Sequence, residues 1–84
     1  MNLEEALEEY GMTERQAKVY LAALGLGESA VTDIAQKAQI KRAGTYYLSE
    51  SLVDIDLFYR TKKSGKAYYS AVEPKTLLAH LRRH

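Results

Sequence analysis

The sequence predicts a mainly α fold with a small β-hairpin: a winged helix-turn-helix, with helices at both termini flanking the core. Three observations lead there. Val31 to Arg60, VTDIAQKAQIKRAGTYYLSESLVDIDLFYR, reads as a short helix, a tight turn, a second helix whose first turn is basic and aromatic, and then a strand. That is the order of parts that offers a second helix to the DNA major groove. Leu57 to Thr61 and Ala67 to Val72, rich in β-branched and aromatic residues, flank KKSGK, a hairpin signal. Before and after these parts, apolar residues recur at helical spacing.

Taken in order, Asn2 caps a first helix whose stripe is Leu3, Ala6, Leu7 and Tyr10, at i, i+3, i+4 and i+7. Gly11 ends it. Thr13 caps the next helix, and Gln16 three residues on completes the spacing of a capping box. Its stripe is Ala17, Tyr20, Leu21 and Leu24, with Gly25 and Gly27 stopping it. Glu28 to Val31 forms an extended link able to add a small strand to the hairpin. Thr32 caps a third helix through Ala38, and Gln39-Ile40-Lys41 makes the turn with Ile40 as its apolar plug.

The fourth helix runs from about Arg42 to Asp54. On a 3.6-residue wheel Thr45, Leu48, Leu52 and Ile55 face inward, while Arg42, Ala43, Tyr46, Tyr47 and Glu50 face outward. After the hairpin, Pro74 suits the first turn of a last helix, with Leu77, Leu78 and Leu81 on its apolar side and Arg82 and Arg83 at its C-terminus.

Eighty-four residues make one domain, 1–84, small enough that its stability margin is thin and pairing into a dimer is a natural remedy. The absence of cysteine excludes a disulfide framework and a thiolate metal site. The apolar runs are short and broken by charge, so none spans a membrane, and the acidic N-terminus is unlike a secretory signal. The net charge of +1 hides an asymmetry: residues 1–40 carry seven acids against three bases, and residues 41–84 nine bases against four acids. One half thus suits a polyanion and the other stays off it.

The candidate DNA-binding residues follow from these parts. Arg42 is placed for a base edge, with guanine the favoured partner. Lys41, Tyr46 and Tyr47 are placed for backbone or sugar, and small Ala43 lies on the same outward face. Arg60, Lys62, Lys63 and Lys66 make the hairpin a cationic wing that neutralises phosphates. Tyrosines also tuck their rings into cores, and charged hairpin tips also keep strands soluble.

The chain resembles the N-terminal winged-helix domain of the TrmB-type transcriptional regulators of archaea and some bacteria. The matching residues are GMTERQAKVYLAAL (Gly11 to Leu24), GESAVTDIAQKAQIKRAGTYYL (Gly27 to Leu48) and AYYSAVEPKTLLAHL (Ala67 to Leu81). The resemblance implies double-stranded DNA binding as a homodimer in the archaeal or bacterial cytoplasm, at the nucleoid, with the helix from Lys41-Arg42 in the major groove and the hairpin along the backbone. Three positions depart from the pattern: Ile55-Asp56 replaces a Lys-Gly pair, Gly44 falls inside the reading helix, and Ser49 replaces a leucine. Asp56 would take a left-handed conformation that glycine adopts more easily. Gly44 would let the backbone approach DNA, and Ser49 would shift the packing by one position. Fuller members continue into a dimerising helix and a sugar-binding domain, and no small-molecule effector site is carried over onto this chain.

No cofactor or metal is expected. His80 and His84 are spaced i, i+4, but no third ligand accompanies them. Ser64-Gly65-Lys66 lacks the glycine-rich lead of a phosphate loop, and no catalytic grouping sits beside a plausible pocket, so no enzyme is expected. Two rivals stand beside a DNA-reading regulator: a winged helix that meets a protein partner through Tyr46, Tyr47 and the hairpin, and an architectural or RNA-associated protein of low sequence preference.

Overall fold

The computed structural model describes residues 3–76. In order they form α1 (Leu3–Tyr10), α2 (Glu14–Leu26), β1 (Ser29–Ala30), α3 (Val31–Ala38), α4 (Arg42–Asp54), β2 (Phe58–Lys63) and β3 (Lys66–Ala71). This is the mainly helical fold with a small sheet that the sequence predicts. The cap at Asn2, and His80, His84, the three leucines and two arginines of the last helix, lie outside the described residues; Pro74 to Thr76 form a first helical turn.

Helix α2 begins on the expected capping box. Thr13 Oγ1 accepts from the Gln16 backbone N–H at 3.1 Å, and Gln16 Oε1 accepts from that of Thr13 at 2.9 Å. The same Gln16 reaches α4, donating from Nε2 to Ser51 Oγ at 3.0 Å, so one side chain starts α2 and fixes α4 against it. Gly25 does not stop α2. The helix continues to Leu26 and ends at Gly27, whose φ of 78° suits glycine.

Helix α3 begins two residues earlier than expected. Ala30 holds the cap position without a side-chain hydrogen bond, so Thr32 lies inside the first turn and does not cap it. The turn to α4 passes through Gln39 in the left-handed region, at φ 58°. Ile40 N–H then bonds back to the Ala35 carbonyl at 3.1 Å, and Ile40 packs against the core as expected of a plug.

Helix α4 has the expected bounds, but its inner face is shifted. Thr45, Ser49 and Leu52 are fully buried, Leu48 is part-buried, and Ile55 is 43% exposed. The departure at Ile55 has a simple cause: the helix has ended there, so the wheel no longer applies. Asp56, at φ 63°, closes α4 in a Schellman arrangement, with its N–H on Val53 O at 3.0 Å and that of Leu57 on Leu52 O at 2.9 Å. The left-handed residue falls where the sequence places it, carried by aspartate.

The sheet has the order β1-β3-β2 and is antiparallel throughout. The expected extra strand is Ser29–Ala30, paired with Tyr69 and Tyr68. The hairpin closes on Ser64 and Gly65, both at positive φ, as a two-residue turn of the I′ kind requires. Its strands therefore run nearer the tip than the sequence suggests, taking in Lys62, Lys63 and Lys66. Phe58 and Tyr69 point inward and join Tyr20, Leu7, Ile34 and Leu52 in the core. The Tyr20 hydroxyl donates to the Val72 carbonyl, tying α2 to the end of the wing.

Candidate nucleic-acid interface

The first turn of α4 is electrostatically unusual. Lys41 occupies its cap position without a side-chain cap, Arg42 follows, and the first turn contains no acid. Cations at the positive end of a helix dipole are unfavourable until an anion arrives, and uncapped N–H groups there suit phosphate oxygens. Lys41, Arg42 and Ala43 are exposed, Tyr46 is 55% exposed and Tyr47 74%. Neither tyrosine is in the core. Two neighbouring rings left this open on a helix whose inner face is buried are poorly explained by packing alone.

Between α4 and the wing runs a cleft of about 390 Å³ lined by Arg42, Ala43, Tyr46, Lys66, Ala67 and Tyr69, with the start of α3 at its far wall. Four of the sequence-predicted residues, Arg42, Ala43, Tyr46 and Lys66, thus come to one place from two elements. Lys62 and Lys63 lie beyond, on the exposed tip.

Two of the predicted cations have partners within the domain. Arg60 pairs with Glu50 of α4, so its guanidinium lies between wing and helix. Lys63 pairs with Glu28 at 2.5 Å, and the hydrogen bond to that carboxylate holds its ammonium above the ordinary lysine value. Glu50 also accepts from Tyr69. Burial first, and then this bond and the carboxylate's charge, push the Tyr69 hydroxyl well above the usual tyrosine range.

Sequence reasoning missed two residues and misplaced a third. Thr32, read as a cap, lines the cleft. Arg15, counted with the acidic half, lies beside the first turn of α4: a Cβ added at Gly44 would sit 3.3 Å from its Nη2. Only the packing of α2 on α4 brings it there, and no local signal marks it. Gly44 faces Arg15 and Ile40 within the protein, where an added Cβ would meet Ile40 Cγ2 at 3.5 Å.

Among the described residues no group of three or more His, Cys, Asp or Glu could hold a metal, and no helix is long and apolar enough to cross a membrane.

Helices α3 and α4 with their turn, and the β2–β3 hairpin beside them, define a winged helix-turn-helix domain related in fold to DNA-binding regulators. Residues 7–75 match the family described as sugar-specific transcriptional regulator TrmB, and the chain belongs to that family. No curated protein matches the sequence significantly. Among solved structures, TrmBL2, an archaeal chromatin protein described as showing a novel mode of DNA binding, superposes with a TM-score of 0.82 at 18% identity, covering 96% of this chain and 32% of its own. The YusO protein of Bacillus subtilis superposes at 0.72 with 20% identity, covering 96% of this chain and 63% of its own. BpsR of Bordetella bronchiseptica, whose DNA binding is regulated by 6-hydroxynicotinic acid, gives 0.74 at 16% identity, covering 94% and 58%. The chain therefore spans 32% to 63% of the length of these proteins, and the likeness is one of fold.

Proposed function

We propose that this chain is the sequence-specific double-stranded DNA-binding domain of a transcriptional regulator, reading the major groove with α4 and the backbone with the β2–β3 wing. The observation that carries the proposal is the convergence of Arg42, Ala43, Tyr46 and Lys66 on one cleft between helix and wing, with Tyr47 and Lys62 exposed. Arg42 contacts a base edge, preferably guanine, where its planar fork gives a bidentate bond. Lys41, Tyr46 and Tyr47 contact phosphate or sugar, and Ala43 allows close approach. Lys62, Lys63 and Lys66 hold the flanking backbone, while Arg60 reaches it from its pairing with Glu50. The domain acts as a homodimer on an inverted repeat in the archaeal or bacterial cytoplasm, at the nucleoid.

Selection from random duplexes tests this. The expected product is a palindrome with half-sites spaced by whole helical turns of roughly 10 base pairs. Arg42→Ala is expected to relax one position in each half-site, with a loss of about 1–3 kcal/mol against the preferred base. Equal recovery of unrelated duplexes would favour an architectural protein, and no recovery at low salt would favour a protein-binding winged helix.

A further inference from the structure

The inner face of the hairpin is occupied by the core, through Phe58 and Tyr69. Because side chains alternate along a strand, Tyr59, Thr61 and Lys63 of β2 and Lys66, Tyr68 and Ser70 of β3 share the opposite face. The cross-strand register places Tyr59 opposite Ser70 and Thr61 opposite Tyr68, so the two tyrosines are diagonal neighbours. Such diagonal positions lie roughly 7–8 Å apart. Tyr59 is 62% exposed. The ammonium groups of Lys63 and Lys66 stand 5.9 and 6.0 Å from the centre of the Tyr68 ring. None of the six is acidic, and the neighbouring carboxylate, Glu28, is paired with Lys63.

We infer that this outer face of the wing is a second nucleic-acid site, for single strands, in which Tyr59 and Tyr68 stack unpaired bases and Lys63 and Lys66 hold the adjoining phosphates. Flat rings in a row on a sheet, edged by lysines, match the repeat of an unpaired strand, whose bases offer π faces and whose backbone offers a charge per nucleotide. A duplex, with its bases already stacked on one another, gains nothing from these rings. An acidic peptide would engage the lysines but leave the pair of tyrosines unused. Tyr59 and Tyr68 lie on the face of the hairpin opposite the packing of Phe58 and Tyr69, while Lys63 and Lys66 are shared with the proposed duplex contacts, so the two tyrosines distinguish this site from the duplex-reading surface. Glu28 restrains it by occupying Lys63.

The test is the affinity of the 84-residue chain for labelled oligothymidylate and oligouridylate of about 15 nucleotides, followed by fluorescence anisotropy at low salt. Tyr59→Ala and Tyr68→Ala are each expected to weaken binding roughly 5- to 100-fold, the range for losing one stacked base. Tyr59→Phe and Tyr68→Phe keep the ring and are expected to bind as the parent does. Glu28→Gln releases Lys63 and is expected to tighten binding severalfold, an effect that a merely structural role for the face would not produce. Arg42→Ala is expected to leave single-strand affinity unchanged, and Tyr59→Ala to leave duplex affinity unchanged. Should Tyr68→Ala fail to fold, the exposed Tyr59 carries the test alone. Absence of single-strand binding, or binding lost with Arg42→Ala but not with Tyr59→Ala, would overturn the inference without touching the duplex reading. The two oligonucleotides separate RNA from DNA as the preferred strand.

Discussion

The hydroxyl of Tyr69, on β3, donates to Oε2 of Glu50, on α4, at 2.5 Å, while Arg60 of β2 donates to the other oxygen of the same carboxylate. One acid on α4 thus holds both strands of the wing. Helix and wing are offered together, and the angle between them is set by side chains as well as by packing.

Removing that acid should loosen the pair. Glu50→Ala leaves the Tyr69 hydroxyl, on a fully buried residue, without its acceptor, and the expected loss is about 1–3 kcal/mol in urea unfolding. In the Tyr69→Phe background the same change is expected to cost less, since no donor is stranded. Equal losses in both backgrounds would show that the bond contributes nothing.

Stability should fall on the alkaline side. Burial pushes the Tyr20 hydroxyl from 10.0 up to about 12, and Tyr69 is raised for the same reason with Glu50 added. A group whose value is raised on folding contributes stability that is complete below the unfolded value and is lost as pH climbs through the folded one. The urea midpoint is therefore expected to hold up to about pH 10 and decline toward pH 12. Tyr20→Phe is expected to flatten part of that decline, and an unchanged profile would contradict it.

Ser49 is fully buried, and its hydroxyl finds no partner among the described residues. An unpaired buried hydroxyl costs about 1–3 kcal/mol, so Ser49→Ala is expected to be neutral or to raise the urea midpoint despite the lost atom. A marked drop would mean that the hydroxyl is bonded in solution.

Gly44 sits within α4 facing the guanidinium end of Arg15 and Ile40 Cγ2. Arg15 is exposed and its tip can move aside. Gly44→Ala is then expected to add about 0.5–1 kcal/mol of stability from helix propensity. A loss would show that α2 and α4 cannot separate by the few tenths of an ångström needed.

Most of the fold was legible because its signals are local. The Thr13–Gln16 box, the Gly65 turn and the α1 stripe each lie within a few residues and fall where expected, whereas the stripes of α2 and α4 are shifted. The misses concern tertiary contacts. The wheel takes in Ile55 although it lies one residue past the expected end of α4, and nothing near Thr32 shows that Ala30 holds the cap. The candidate site was half legible. The outward set on α4 follows from period 3.6, whereas Arg60 and Lys63 met Glu50 and Glu28 only when distant segments packed. Arg15 came beside the first turn of α4 by the same route.

The salt dependence of duplex affinity, compared between the parent and a variant with Lys62, Lys63 and Lys66 all changed to Ala, tests most directly whether wing and helix grip one duplex. Each phosphate contact contributes about 0.9 to the slope of log affinity against log salt, so the variant is expected to lose roughly 2–3 from that slope while retaining the base preference set by Arg42. A slope that does not move, with duplex affinity unchanged, would contradict the account.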